Sequence, residues 1–121
     1  MGMTEQRNPI QPERRRNRRF SCSGQADVVA YNPRMLFRGV VRNISGSGCF
    51  VETGARINLA LMAEVELQFT ARGVRLKSLA RLVDIQPCKG AGFEFVPGDP
   101  RMDADFLRLI DSLKAEQAPE L

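Results

Sequence analysis

The sequence contains no histidine and no tryptophan, and it contains only one tyrosine. The absence of histidine removes the most common general base and the most common metal ligand of proteins. The three cysteines form no C-x-x-C pair, and no phosphate-binding loop or nucleophile elbow is present. We therefore predict no catalytic residue, no metal ion and no cofactor, and we interpret the chain as a binding protein rather than an enzyme.

Long hydrophobic runs are also missing. No apolar stretch approaches the length of a membrane span or of a signal-peptide core. The odd number of cysteines, Cys22, Cys49 and Cys88, favours free or buried thiols in a reducing compartment. We expect a cytoplasmic protein that does not insert into a membrane.

Positive charge is concentrated in one short stretch. The 121 residues carry a net charge of +4, and residues 1–20 contain six arginines against two acidic side chains. The remaining residues balance twelve basic against twelve acidic side chains, so they are neutral. The segment ERRRNRRF at residues 13–20 has two interpretations: a basic arm exposed to solvent, or a specific binding site for an anion. All the basic residues of this segment are arginines, which favours a planar ligand. The guanidinium of arginine can form two parallel hydrogen bonds to a phosphate or to a guanine edge, and its flat face can stack on a purine.

Apolar and polar residues alternate in short runs from Gly24 onward. In one run, Val65, Leu67 and Phe69 alternate with polar neighbours. This pattern predicts six strands, over residues 25–31, 36–44, 48–53, 64–70, 74–86 and 91–96. Short antiparallel strands at this spacing are typical of a barrel or a sandwich. After Pro97 a helical stripe of Phe106, Leu107, Leu109, Ile110 and Leu113 predicts a helix that packs on one mouth or flank of the barrel.

One short motif precedes the first predicted strand, and a second lies at the junction of the second and third predicted strands. Arg15 and Arg19 form R-x-x-x-R, and Asn43, Ser45 and Gly48 form N-x-S-x-x-G. In this order and at this interval, the motifs make the chain resemble the PilZ domain, a bacterial family that binds cyclic di-GMP. The resemblance covers roughly residues 13–112 and includes Phe20, the Gly-Phe-Glu-Phe strand at 92–95 and the closing helix.

The resemblance implies a mainly β fold, a six-stranded antiparallel PilZ-type β-barrel with a C-terminal α-helix. We expect a flexible N-terminal arm over residues 1–13, the PilZ domain over 14–114 and a frayed tail over 115–121. Arg14 and Arg18 also satisfy R-x-x-x-R, but Phe20 directly after Arg19 supports the register of Arg15 and Arg19.

The resemblance also implies a role for each motif residue. Arg15 and Arg19 would bind guanine edges and phosphate, and Asn43 and Ser45 would reach the other edge of the ligand. Asn43 replaces the aspartate that is commoner in the family. Gly48 would let the backbone turn tightly where a side chain would obstruct the ligand. In the family, a basic residue in the place of Arg14 tends to accompany binding of a stacked ligand pair, so we expect two ligands per chain, with one as the alternative.

The leading hypothesis is a cyclic di-GMP receptor. It would signal by ligand-induced ordering of its N-terminal arginine segment, which would alter its interaction with an unidentified downstream protein. One alternative is a small β-barrel that binds nucleic acid, but few aromatic residues are available to stack on bases. The other alternative is a PilZ-like interaction module that no longer binds ligand, against which the intact motifs argue.

Overall fold

The computed structural model of the chain describes residues 18–98 and 100–117. It contains six strands and one helix, α1, over Pro100–Glu116. The strands are β1 Phe20–Tyr31, β2 Arg34–Ile44, β3 Gly48–Glu52, β4 Glu64–Ala71, β5 Val74–Gln86 and β6 Gly90–Phe95. They form a closed barrel in the order β1-β2-β3-β6-β5-β4, in which every neighbouring pair is antiparallel. The predicted fold, a mainly β chain with a six-stranded antiparallel barrel and a C-terminal helix, is confirmed.

The alternating runs form the core of the barrel. Val65, Leu67 and Phe69 of β4 point inward and are at most 2% exposed, whereas their polar neighbours face outward. Fully burying one such side chain stabilises a fold by about 1.5–3 kcal/mol, so the alternation strongly favours a single register. The turn from β4 to β5 has positive φ at Arg72 (54°) and at Gly73 (77°), as a tight two-residue hairpin requires.

Strand β1 begins five residues earlier than the sequence pattern predicts. The first residue of the strand is Phe20, which is 3% exposed and belongs to the core. The register between β1 and β2 shifts between Ser21 and Gly24. Such an irregularity interrupts the period-two pattern, so alternation alone could not reveal the first part of the strand. As a consequence, Arg19 is held directly at the start of a strand.

Helix α1 packs against β5 and β1. Its buried side chains are Leu109, Ile110 and Leu113, whereas Leu107 of the predicted stripe is 59% exposed. Phe106 contacts Phe95 edge to face, with ring centroids 5.7 Å apart. The apolar stripe of the helix is therefore core, as the sequence predicts, except at Leu107.

The end of α1 is fixed to the start of β1 by Gln117. The Gln117 side chain accepts a hydrogen bond from the Ser21 backbone N–H (3.1 Å) and donates one to the Ser21 carbonyl (2.7 Å). Arg72, in the turn from β4 to β5, contacts Glu116 at 2.8 Å. The helix thus ends at the part of the barrel where the R-x-x-x-R motif leads into β1.

Within residues 18–98 and 100–117, no helix is long and apolar enough to cross a membrane. Among the same residues, no group of histidine, cysteine, aspartate or glutamate side chains is arranged to hold a metal ion. The three cysteines are free: Cys22 is half-buried, Cys49 is buried and Cys88 is exposed.

Candidate ligand-binding site

The structure brings together one residue from each of the two motifs. Arg19 precedes β1, and Asn43 lies near the end of β2, where it is paired with Ser21. Nη1 of Arg19 donates a hydrogen bond to Oδ1 of Asn43 at 2.7 Å. A guanidinium carries five N–H donors, so this single bond leaves most of them available for an anionic ligand. Arg19 and Asn43 therefore form a positively charged edge on the outer surface of the barrel.

The neighbouring arginine, Arg18, points to another part of the molecule. Its Nη2 donates to the Gln117 carbonyl at 2.7 Å, and its guanidinium lies 4.7 Å from the centre of the Phe20 ring. Arg18 thus satisfies a carbonyl at the end of α1, where helical carbonyls lack partners. Arg19, and not Arg18, bonds Asn43, and the register of R-x-x-x-R stays a prediction. The predicted site residues Arg14 and Arg15 lie outside the described residues.

Asn43 begins a row of outward-facing positions that crosses four strands. In the sheet, Asn43 of β2 is paired with Phe50 of β3, Phe50 with Gly92 of β6, and Gly92 with Asp84 of β5. Directly paired residues of antiparallel strands project to the same face, so these four positions form one line. We call this line the cross-strand row.

A groove of about 430 Å³ follows the cross-strand row. The described residues that line it are Arg19, Asn43, Cys49, Phe50, Val83, Asp84, Gln86, Gly92 and Phe93. The groove thus presents an arginine at one end, an aromatic ring in the middle and a carboxylate at the other end. A register shift of β5 between Leu82 and Asp84 leaves both Val83 and Asp84 exposed on this face.

Gly92 keeps the middle of the groove open. A Cβ atom at this position would lie 3.4 Å from Cβ of Asp84 and 3.9 Å from Cγ2 of Val83, in ordinary contact. The missing side chain leaves an open floor next to Phe50, the residue paired with Gly92 on β3. Such a surface suits a planar base, since base–aromatic stacking contributes about 1–3 kcal/mol per base.

Ser45 and Gly48 shape the turn between β2 and β3 from the inside. Ser45 is 1% exposed, and its hydroxyl accepts hydrogen bonds from the backbone N–H groups of Ser47 (3.2 Å) and Gly48 (3.3 Å). A Cβ at Gly48 would lie 2.1 Å from the Phe93 carbonyl oxygen, so the close approach of β6 requires glycine there. Ser45 and Gly48 do not line the groove within the described part of the chain. In the structure they hold the turn that connects Asn43 to Phe50, and their contact with a ligand stays a prediction.

Cys49 lies beneath the row and is held as a neutral thiol. Burial and, to a smaller extent, the nearby Cys22 raise the pKa of Cys49 to about 12, against the opposing effect of Arg19, which lowers it. Burial also raises the pKa of Cys22. Because the thiolate is the reactive form, Cys49 behaves here as a small apolar side chain rather than as a nucleophile.

A second groove, of about 580 Å³, lies on the outer surface of β1, β2, β4 and β5. Its lining includes Asp27 and Arg38, whose side chains form an ion pair at 3.1 Å. Arg38 is therefore already matched by a carboxylate, and no described residue of either motif lines this groove. The second groove is larger, but the sequence motifs do not point to it.

The sequence did not predict three members of the row as site residues: Phe50, Gly92 and Asp84. Asp84 lies in the predicted strand over residues 74–86, and its side chain is exposed. That it faces the groove follows from the register shift of β5 and from its pairing with Gly92. Pairings between β3, β6 and β5 bring together residues that are far apart in the chain, and no sequence signal indicated them.

The described residues thus form a small closed antiparallel barrel with a charged and aromatic groove on its outer face. Residues 13–112 match the PilZ domain family, and the chain belongs to this family. The resemblance inferred from the two motifs is thereby confirmed. PilZ domains are known as cyclic di-GMP receptors and are binding domains rather than enzymes.

Structural comparison agrees with this assignment. The crystal structure of the PilZ domain of CeSA from a cellulose-synthesizing bacterium matches with a TM-score of 0.67 and 18% sequence identity. The match covers 80% of this chain and 98% of that chain, and at this identity it shows the fold alone. No curated protein matches the sequence.

Proposed function

We propose that this protein is a receptor that binds cyclic di-GMP in the groove along the cross-strand row. The observation that carries the proposal is the 2.7 Å hydrogen bond between Arg19 and Asn43. This bond joins the last arginine of R-x-x-x-R to the first residue of N-x-S-x-x-G at one edge of an open groove. Membership of the PilZ family supports cyclic di-GMP as the ligand.

The chemistry of the groove suits the parts of this ligand. Cyclic di-GMP has two phosphodiesters and two guanines, and the free donors of Arg19 can bond phosphate oxygens or guanine O6 and N7. Phe50 and the open floor at Gly92 offer a stacking surface for a guanine. In this proposal Arg15 supplies a second fork, while Ser45 and Gly48 act chiefly by holding the turn beside Asn43.

Calorimetric titration with cyclic di-GMP tests the proposal. We expect saturable binding and, if Arg14 supports a stacked ligand pair, a ratio of two ligands per chain that Arg14→Ala lowers to one. A ratio of one in the wild-type protein would contradict only the role proposed for Arg14, and the receptor function would still stand. Saturable binding of an oligonucleotide that competes with the cyclic dinucleotide, and that weakens steeply with salt, would instead favour a nucleic-acid binder. If the wild-type protein binds no cyclic di-GMP, the proposed receptor function is wrong.

We further propose that ligand binding orders the arginine segment and thereby changes the surface offered to a downstream protein. The proposal rests on charge, because six arginines lie between residues 7 and 19 and repel one another, and a ligand with two negative charges would offset part of this repulsion. Of these six, Arg18 and Arg19 belong to the described part of the chain. We also propose a cytoplasmic location, in keeping with three free thiols.

Trypsin, which cuts after arginine, tests the ordering. Cleavage at Arg14, Arg15 and Arg16 is expected to be fast in the free protein and at least several-fold slower at saturating cyclic di-GMP. Arg34 provides an internal control, because it is exposed and lies at the end of the β1–β2 hairpin opposite Asn43. Equal cleavage rates of the arginine segment in the two states would show that it does not act as the switch.

A further inference from the structure

Asp84 occupies the end of the groove opposite Arg19. It stands in β5 directly after a register shift, and it is paired with Gly92 across the open floor. Nε2 of Gln86 donates a hydrogen bond to Oδ2 of Asp84 at 3.1 Å. This bond favours one orientation of the carboxylate, and no other described residue bonds its second oxygen. Asp84 is thus an oriented acceptor at the edge of a surface that suits a planar base.

The Watson–Crick edge of guanine presents two neighbouring donors, N1–H and the N2 amino group. A carboxylate has no donor and can accept both of these hydrogen bonds at once. Adenine presents an acceptor at its N1 atom instead, which a carboxylate would repel. An amide matches the guanine edge less well, because only its oxygen accepts, and Oδ1 of Asn43 already accepts from Arg19.

We infer that Asp84 selects guanine by accepting hydrogen bonds from N1–H and N2 of one base of the ligand. Asp84 is then a specificity-determining residue at the end of the row, while Arg19 faces phosphate or the O6 and N7 edge at the other end. The inference rests on the proposed cyclic di-GMP binding and adds a residue that neither sequence motif contains. It also gives a reason for a carboxylate in a groove whose ligand carries two negative charges.

Charge and hydrogen bonding predict opposite effects of removing this carboxylate. If Asp84 made no contact with the base, Asp84→Asn would remove a repulsion and would strengthen the binding of any cyclic dinucleotide. If Asp84 accepts from guanine, the same change weakens the binding of guanine ligands specifically. Asp84→Asn keeps the shape of the side chain and an oxygen for Gln86, so the fold should be retained.

The experiment compares cyclic di-GMP with cyclic di-IMP, whose hypoxanthine base lacks only the N2 amino group. Both ligands have the same charge and the same O6 and N7 edge, so their affinity ratio isolates the contact to N2. We expect the wild-type protein to prefer cyclic di-GMP by about tenfold or more, as for a hydrogen bond to a charged group. In Asp84→Asn the preference should fall to within about twofold of one. Asp27→Asn, the same change in the second groove, should retain the wild-type preference.

The outcomes of this comparison distinguish failure of the inference about Asp84 from failure of the proposed function. A wild-type ratio near one, or a preference that survives unchanged in Asp84→Asn, would overturn the inference while leaving cyclic di-GMP binding intact. If Asp84→Asn bound both ligands more tightly and kept the preference unchanged, the effect of Asp84 would be purely repulsive. That result would overturn the inference as well. If the wild-type protein bound neither ligand, the proposed function itself would be wrong, and the inference would fall with it.

Discussion

Replacing Arg19 by alanine is expected to remove most of the affinity for cyclic di-GMP. The change deletes the guanidinium at the edge of the groove together with its 2.7 Å bond to Asn43. A bidentate arginine contact to a base contributes about 1–3 kcal/mol, which corresponds to a loss of about 5- to 150-fold in affinity. The side chain is exposed and lies before β1, so the melting temperature of the free protein should change little. Calorimetric titration of the variant measures the loss directly.

Two further variants separate the contribution of the planar guanidinium of Arg19 to affinity from the contribution of its positive charge. Arg19→Lys keeps the positive charge but loses the planar fork, and we expect it to recover only part of the affinity. Arg38→Ala removes the same charge from the second groove, where Arg38 forms an exposed ion pair with Asp27, and should bind almost as the wild type does. Equal losses in Arg19→Ala and Arg38→Ala would show that only overall charge matters and would argue against this groove.

Replacing Gly48 by alanine is expected to destabilise the fold. The new Cβ would lie 2.1 Å from the carbonyl oxygen of Phe93 and 3.1 Å from its carbonyl carbon. These atoms belong to the backbone of β6, which can move away only by loosening its pairing with β3. Overpacking of this kind costs about 1–3 kcal/mol and occasionally more. A loss of that size lowers the melting temperature of a domain of this length by about 4 °C or more.

Gly92→Ala provides the matched control for Gly48→Ala. It makes the same chemical change in β6, but its Cβ meets side-chain atoms of Asp84 and Val83 at ordinary distances of 3.4 and 3.9 Å. We expect the melting temperature to stay close to that of the wild type, while the methyl group on the floor weakens ligand binding. Thermal unfolding followed by circular dichroism, together with titration of each variant, distinguishes the two glycines. Equal melting temperatures for both variants would show that the contact with Phe93 does not constrain position 48.

The barrel itself was largely predictable from the sequence. Val65, Leu67 and Phe69 alternate with polar residues over a full strand, and the turn at Arg72 and Gly73 marks where the chain reverses. Alternation works here because one face of each strand is buried and the other is in water. Where a register shift interrupts it, as between Ser21 and Gly24, the pattern missed the start of β1.

The candidate site was predictable only at its motif end. The motifs predicted Arg19 and Asn43 as site residues, and a hydrogen bond connects their side chains in the structure. The middle and the far end of the groove depend on the pairing of strands that are distant in the sequence. Phe50, Gly92 and Asp84 come from three different strands, and no sequence pattern indicated that they lie side by side. The motif could not show that Ser45 is buried within its own turn either, because a hydroxyl in a turn can face the backbone or a ligand.

The most direct test of the central claim is an NMR titration of the ¹⁵N-labelled protein with cyclic di-GMP. We expect the largest changes at the backbone signals of Asn43, Phe50, Gly92 and Asp84, because the ligand would lie along this row. The signals of Asp27 and Gln68, which line the second groove, should change little. Spectra that do not change at millimolar ligand, or changes confined to the second groove, would contradict the claim that this groove binds cyclic di-GMP.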